Sequence, residues 1–284
     1  MVNALSLGAS YALIALGFTL VFGVLRILNM AHGSIAIVGA YVALVASSAL
    51  HLNLLVAVLV GMIAAGTIGA LTERLVIRPT ITNEMAPFIA TLGLTMVLEN
   101  GLSELFGPDP KGFPSNIGIG TYEFWGMTIT ADQLLMTAVS ISLLVGLSYM
   151  VMRTQLGRYI RATAENRETA AFLGVDTGQV GLITLVIAST VAGAAGVLLG
   201  QYFGVLTPFI GTNIAVKGLI VLIVGGIGNF YGAMITGLIL GFVEVFATVY
   251  LSSSFGNMAG YILLIVILLI KPSGLFGSTA AARD

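Results

Sequence analysis

Stretch after stretch of this chain runs for close to twenty residues almost without charge: Ala4 to Leu25, Ser34 to Leu50, Leu54 to Leu71, Pro87 to Phe106, Ala131 to Met152, Val180 to Tyr202 and Ala233 to Tyr250. A run of ~20 apolar residues is what a helix needs to cross the hydrocarbon core of a bilayer. A helix also satisfies its own backbone groups where no water can. A closed β-barrel would instead show ~10-residue segments alternating between apolar and polar residues, a pattern that is absent. Charged residues make up only 8% of the chain and hydrophobic ones 58%, too few charges to cover a soluble surface. The expected architecture is an all-α, polytopic transmembrane bundle of about eight to nine membrane segments, some broken or re-entrant. It is read as a single domain over 1–284, with long polar loops at 107–130 and 153–178.

The chain has no cysteine, which excludes disulfides and thiolate metal sites. A net charge of −1 says little about partners, and no nucleic acid is expected among them. The opening MVNALSLGAS lacks a basic n-region, so the first apolar segment is expected to stay as a span. If the spans alternate, Arg26, Arg74, Arg78, Arg153, Arg158, Arg161, Arg167, Lys271 and Arg283 fall on one side and only Lys111 and Lys217 do not. The positive-inside rule then places the N-terminus outside, the C-terminus in the cytoplasm, loop 153–178 inside and loop 107–130 outside. The outer loop, rich in Gly and Pro with Tyr122 and Trp125, is expected to hold a short hairpin. This topology needs an odd number of crossings, and its weak point is Thr212 to Val224, ~20 Å as a helix and too short to cross unaided. The last span is read from Tyr261 to Ile270, and ERLVIRP, with Glu73, Arg74 and Arg78, as an aqueous boundary.

The interval from Met152 to Gly178 is the one long polar stretch. Within it Asn166 is a natural N-cap, Glu168 suits the positive end of a helix and Gly174 suits the stop, which predicts a two-turn helix from about Arg167 to Leu173. So short a helix needs a partner surface, and Ala170, Ala171, Phe172 and Leu173 give it an apolar face. Either the segment lies as a basic loop near anionic lipid or it docks a cytoplasmic subunit.

These residues carry a resemblance. RTQLGRYIRATAENRETAAFLGVDTGQV is similar to the cytoplasmic loop of branched-chain amino acid ABC transporter permeases, in which G-R-x-x-R-A-x-A (here Gly157, Arg158, Arg161, Ala162, Ala164) precedes A-x-x-L-G-V (Ala170, Leu173, Gly174, Val175). Tyr11 to Gly33 resembles the family's first span with its N-F-A-H-G motif, except that Met30 replaces Phe. Lys217 to Ala233 resembles K-x7-G-G-x-G. Lys271 to Gly277 resembles R-P-x-G-L-F-G, with Lys271 in place of Arg. The resemblance covers nearly the whole chain in order. It implies an importer in which this chain and a second related permease, or a second copy, form the pore. Two cytoplasmic ABC ATPases would supply energy and an external solute-binding protein would deliver substrate, all within membrane lipid. ATP and Mg would then sit on the ATPases. This chain has no G-x-x-x-x-G-K-[ST] and is expected to bind no cofactor and to catalyse no reaction. The resemblance further implies that Arg158, Arg161, Glu165, Asn166, Glu168, Ala170, Ala171, Leu173 and Gly174 form the ATPase-coupling segment.

Polar groups placed where they are expensive are the candidates for the translocation path or its gates: Asn29, His32, Glu99, Asn100, Lys217, Gly225, Gly226, Asn229 and Glu244. Each has a plainer role open to it: pairing or snorkelling for Glu99 and Lys217, helix capping for His32, close packing for the glycines. Few buried charges suit an aliphatic amino acid, but equally urea or a short amide. The two glycine-rich breaks would also suit an ion-coupled secondary transporter. A membrane enzyme finds no HExxH, paired intramembrane carboxylates or Ser/His arrangement to support it.

Overall fold

A computed structural model describes residues 1–81, 85–113, 121–124 and 127–277, with backbone alone over 121–124 and 127–129. Trp125 and Arg283 lie outside the described residues. The helices in order are α1 (Val2–Leu25), α2 (His32–Leu50), α3 (Leu54–Thr72), α4 (Arg78–Thr80), α5 (Ala86–Phe106), α6 (Ala131–Arg153), α7 (Gln155–Glu165), α8 (Arg167–Phe172), α9 (Thr177–Phe203), α10 (Ile210–Gly225), α11 (Phe230–Tyr250) and α12 (Ser253–Ile270). Four short strands complete the chain: β1 (Lys111–Gly112), β2 (Thr121–Phe124), β3 (Met127–Thr130) and β4 (Val205–Leu206). Among the described residues, seven helical segments are long and apolar enough to cross a membrane. Helix α5, which carries Glu99 and Glu104 and was expected to span, is not among the seven, and the 16-residue α10 is a shorter apolar helix.

Several boundaries differ from the sequence reading, each for a local reason. The chain stays helical past Thr72 through a π-turn at Glu73–Ile77 into α4, so Glu73 is buried rather than at an aqueous edge. Helix α12 begins eight residues before Tyr261, because the Ser252 side chain accepts the Phe255 N–H and starts it among residues too polar to read as a span. Asp176 likewise starts α9 early by accepting from the N–H groups of Gly178 and Gln179. Helix α10 runs two residues beyond the expected start and one beyond the expected end; at about 24 Å it still falls short of a ~30 Å hydrocarbon core.

Helix α1 is the axis of the bundle. It is buried on every side from Ser6 to Val21, as befits a helix apolar all round, and it packs against α6, α9, α10 and α11. Between membrane helices water provides no driving force, so close backbone approach through small residues has to supply the dispersion energy. Gly8, Gly237 and Gly241 bring α1 and α11 together antiparallel, and Gly39, Gly61 and Gly193 do the same where α2, α3 and α9 cross. A Cβ on Gly241 would overlap the backbone of Gly8, whereas nothing lies within 4 Å of the Cβ position of Gly146 on α6. Gly241→Leu is therefore expected to cost more than the ~1–3 kcal/mol of ordinary overpacking, seen as lost monodisperse protein and a lowered melting temperature in detergent. Gly146→Ala should be neutral or stabilising.

The two ends of the bundle are distinct. At one, β1 pairs with β4, the Phe113 N–H donates to Gly204 O at 3.0 Å, and β2 and β3 form the expected hairpin. At the other lie Arg26, α7, α8 and the turn after α12. Lys111 thus sits at the opposite end from Arg26 and the arginines of α7, the segregation that the charge pattern called for.

Candidate functional site

The first break turns inward. Helix α1 closes at Arg26 with a left-handed φ of 56°, and the following residues run back into the bundle, where Asn29 and Ala31 are completely buried. Helix α2 starts at His32, whose ring lies 4.6 Å from that of Phe18 and fills the space a Cβ on Gly17 would need. Gly17 precedes Leu25 by eight positions, about 12 Å along the helix. The start of α2 is thus inside the bundle and not at its edge. Asn29 Oδ1 accepts the Ala31 N–H at 3.2 Å, so Asn29 rather than His32 serves the helix start. His32 has the Ile14 carbonyl beside its ring but no hydrogen bond of standard geometry on either nitrogen.

Two helix starts converge on one carboxylate. Glu99 Oε1 accepts from Ser34 Oγ at 3.0 Å, from the Thr212 N–H at 2.9 Å and from Thr212 Oγ1 at 2.8 Å. Ser34 lies in the first turn of α2 and Thr212 in the first turn of α10, where a negative charge meets free N–H groups and the positive end of the helix dipole. Gly33 permits the meeting, since a Cβ there would overlap the Gly211 carbonyl. On α5 the residues Thr91, Thr95 and Glu99 form one buried polar stripe, and Thr91 Oγ1 accepts the Met30 N–H at 3.2 Å. Asn100, one position on, is exposed and among the described residues bonds back to Met96 O at 2.8 Å; it takes no part in this junction. The spacing of Thr91, Thr95 and Glu99 at every fourth residue was a signal available in the sequence and went unread.

A second buried charge is held in an ion pair. Lys217 Nζ on α10 donates to Glu244 Oε1 on α11 at 2.5 Å and to Tyr11 OH on α1 at 2.9 Å, and Tyr11 OH donates to Glu244 Oε1 at 3.2 Å. The side chains of Lys217 and Glu244 are 13% and 8% exposed, so the pair links three helices in a medium where either charge alone would be costly.

The second break is a joint. Gly226 adopts φ 98°, and the turn after α12 packs onto it: the Leu275 N–H donates to Val224 O at 2.7 Å and Asn229 Nδ2 to Phe276 O at 2.8 Å. Asn229 Oδ1 also caps α11 by accepting the Gly232 N–H at 2.8 Å. Gly225 approaches the backbone of Gly232. Gly225, Gly226 and Asn229 therefore hold two chain segments together; the motifs around Lys217–Ala233 and Lys271–Gly277 are two halves of one contact. A cleft of about 390 Å³ lies between this joint, the end of α1 and α7.

The polar interval folds into two helices, not one. Helix α7 was not foreseen, although Gly157, Ile160 and Thr163, at three-residue spacing, form its buried face. Arg161 donates to Val151 O at the end of α6, so it is turned toward its own chain, and Arg26 Nη2 donates to Ala164 O at 2.9 Å in the last turn of α7. Arg158, Glu165 and Glu168 are exposed. Helix α8 has the predicted caps: Asn166 Oδ1 accepts the Thr169 N–H at 2.9 Å, and Gly174, at φ 86°, donates to Ala171 O at 3.0 Å while Val175 N–H reaches Ala170 O at 3.0 Å. Its apolar face is divided differently from expectation. Ala170 is buried against the bundle, and Phe172 and Leu173 stand 91% and 78% exposed.

Residues 1–271 match the protein family described as the branched-chain amino acid transport system permease component. The chain belongs to that family. It is 34% identical to the high-affinity branched-chain amino acid transport system permease protein LivH of Escherichia coli K12, over 98% of this chain and 94% of that one. Identity to the corresponding permease protein BraD of Pseudomonas aeruginosa is 32% over the same shares. The ribose import permease protein RbsC of Escherichia coli K12 is 28% identical over 85% of this chain and 75% of its own. No solved structure matches. In this membrane permease, then, the converging helix starts, the buried ion pair and the exposed α8 are features of a transport subunit.

Proposed function

We propose that the chain is the pore-forming subunit of an ABC importer for branched-chain amino acids, with its N-terminus outside, its C-terminus in the cytoplasm and α8 docked into a cytoplasmic ATPase. Two such ATPases, a second permease chain and an external binding protein complete the assembly, and ATP with Mg is held by the ATPases alone. Relatives named for branched-chain amino acids that align with nearly the full chain favour that substrate over urea or short amides. The observation that carries the coupling role is the exposure of Phe172 and Leu173 on a doubly capped helix of six residues. Such a helix cannot stand in isolation, and two large exposed apolar side chains at its end call for a covering surface. Closure of the ATPases would move the docked helices as rigid bodies and rock the permease between outward-open and inward-open states. An ion-coupled carrier would want the helix starts at its two breaks free for an ion or substrate; here the start of α2 is occupied by Glu99 and that of α11 is capped by Asn229.

The test is leucine uptake into proteoliposomes containing the assembled transporter, ATP inside and binding protein outside. Accumulation should require ATP and survive collapse of all ion gradients. Uptake without ATP, driven by a sodium or proton gradient, would overturn the proposal.

A further inference from the structure

A pocket of about 360 Å³ opens beside the buried ion pair, between the end of α9, the start of α10 and the first half of α12. Tyr11, Lys217, Asn213, Asn257, Phe203 and Tyr261 are on its walls. That volume is within the ~300–1,000 Å³ typical of small-molecule sites. An ammonium has three donors. Two of those on Lys217 are taken by Glu244 and Tyr11, and among the described residues the third has no acceptor, on a side chain that lines the pocket.

We infer that this pocket binds the α-carboxylate of a zwitterionic amino acid through Lys217, a reading that rests on the importer function proposed above. Glu244 and Tyr11 are positioning residues: their hydrogen bonds hold the Lys217 ammonium at the pocket wall. The Lys217–Glu244 pair is already neutral as a unit, so a bare carboxylate entering the pocket would add an uncompensated charge inside the bundle. A zwitterion would not, because its own ammonium arrives with it. The faces of Phe203 and Tyr261 and the amide oxygens of Asn213 and Asn257 are suitable receptors for that ammonium. The remaining apolar wall suits an aliphatic side chain.

The absence of native cysteine allows a direct test. Ile210 also lines the pocket, and Ile210→Cys in the complete transporter, in membrane vesicles, can be modified with a small methanethiosulfonate reagent. Millimolar leucine is expected to slow modification at least three-fold. Isopentylamine, which lacks the carboxylate, and 4-methylpentanoate, which lacks the ammonium, should give no protection. Protection by leucine should vanish when Lys217→Met and Glu244→Gln are introduced together, a neutral exchange that leaves no unpaired buried charge. Protection that persists in that double variant, or equal protection by either analogue, would overturn the assignment. So would absence of leucine protection in a complex that takes up leucine, with the importer reading left standing. A complex that takes up no leucine at all would refute both.

Discussion

Replacing Phe172 and Leu173 together by glutamate is expected to abolish ATP-driven uptake while leaving the permease inserted and folded. The side chains are 91% and 78% exposed, so the change removes little burial within the chain, and surface substitutions of this kind are usually worth less than ~0.5 kcal/mol in stability. At an interface the same residues would be buried apolar anchors, whose loss typically costs ~2–4 kcal/mol, about 30- to 1,000-fold in affinity, before adding the charge carried into an apolar groove. ATPase co-purification should fall by at least thirty-fold, with size-exclusion profile and melting temperature unchanged. Gly174→Arg should act in the same direction by another route. The site has open space around it, but its φ of 86° is a conformation that costs a residue with a Cβ ~1–2 kcal/mol, so the stop that orients Leu173 is weakened. Unaltered ATPase association in both variants would refute docking through α8.

Lys217→Met is expected to be the most damaging single substitution in the bundle interior. It leaves the Glu244 carboxyl buried with Tyr11 as its remaining donor among the described residues. Breaking a buried pair from one side typically costs ~3–5 kcal/mol, and Glu244 Oε2 has no hydrogen-bond partner among the described residues. The variant should express poorly and melt well below the native protein. Adding Glu244→Leu to it should restore the melting temperature most of the way, because a hydrophobic pair of similar volume often replaces a buried ion pair at little or no cost. A double variant as unstable as the single one would show that the contribution is not that of a coupled pair.

The membrane helices were legible in the sequence because a run of ~20 apolar residues has essentially one fate in lipid. Helix α8 was legible for a different reason: Asn166 and Gly174 act through local backbone geometry, which needs no knowledge of the rest of the chain. The facing of each polar residue was harder to read. Glu99 and Asn100 are neighbours about 100° apart around the helix, and with apolar residues on both faces only the sparse stripe of Thr91, Thr95 and Glu99 at four-residue spacing marks the side that turns inward. The structure puts Glu99 at the junction of two helix starts and leaves Asn100 outside. Gly225, Gly226 and Asn229 were ambiguous because their partner, the turn at Leu275 to Gly277, is some fifty residues away. Helix α7 was missed because its apolar positions are few and its surroundings polar, so the interval read as loop. Residues Phe172 and Leu173 show the converse: their type suggested contact, but only the burial of Ala170 beside them shows which side of α8 remains for a partner.

In the proposed importer, α8 is the point where ATP-driven movement enters the permease. The most direct measurement places a photo-reactive benzophenone amino acid at Phe172, a near-conservative exchange of one exposed aromatic for another, and irradiates the assembled transporter in native membranes. A cross-linked product containing the permease and its ATPase subunit is expected, formed in high yield and lost when the ATPase is stripped away. Efficient labelling of Phe172 by lipid or by the external binding protein, with no ATPase adduct, would contradict it.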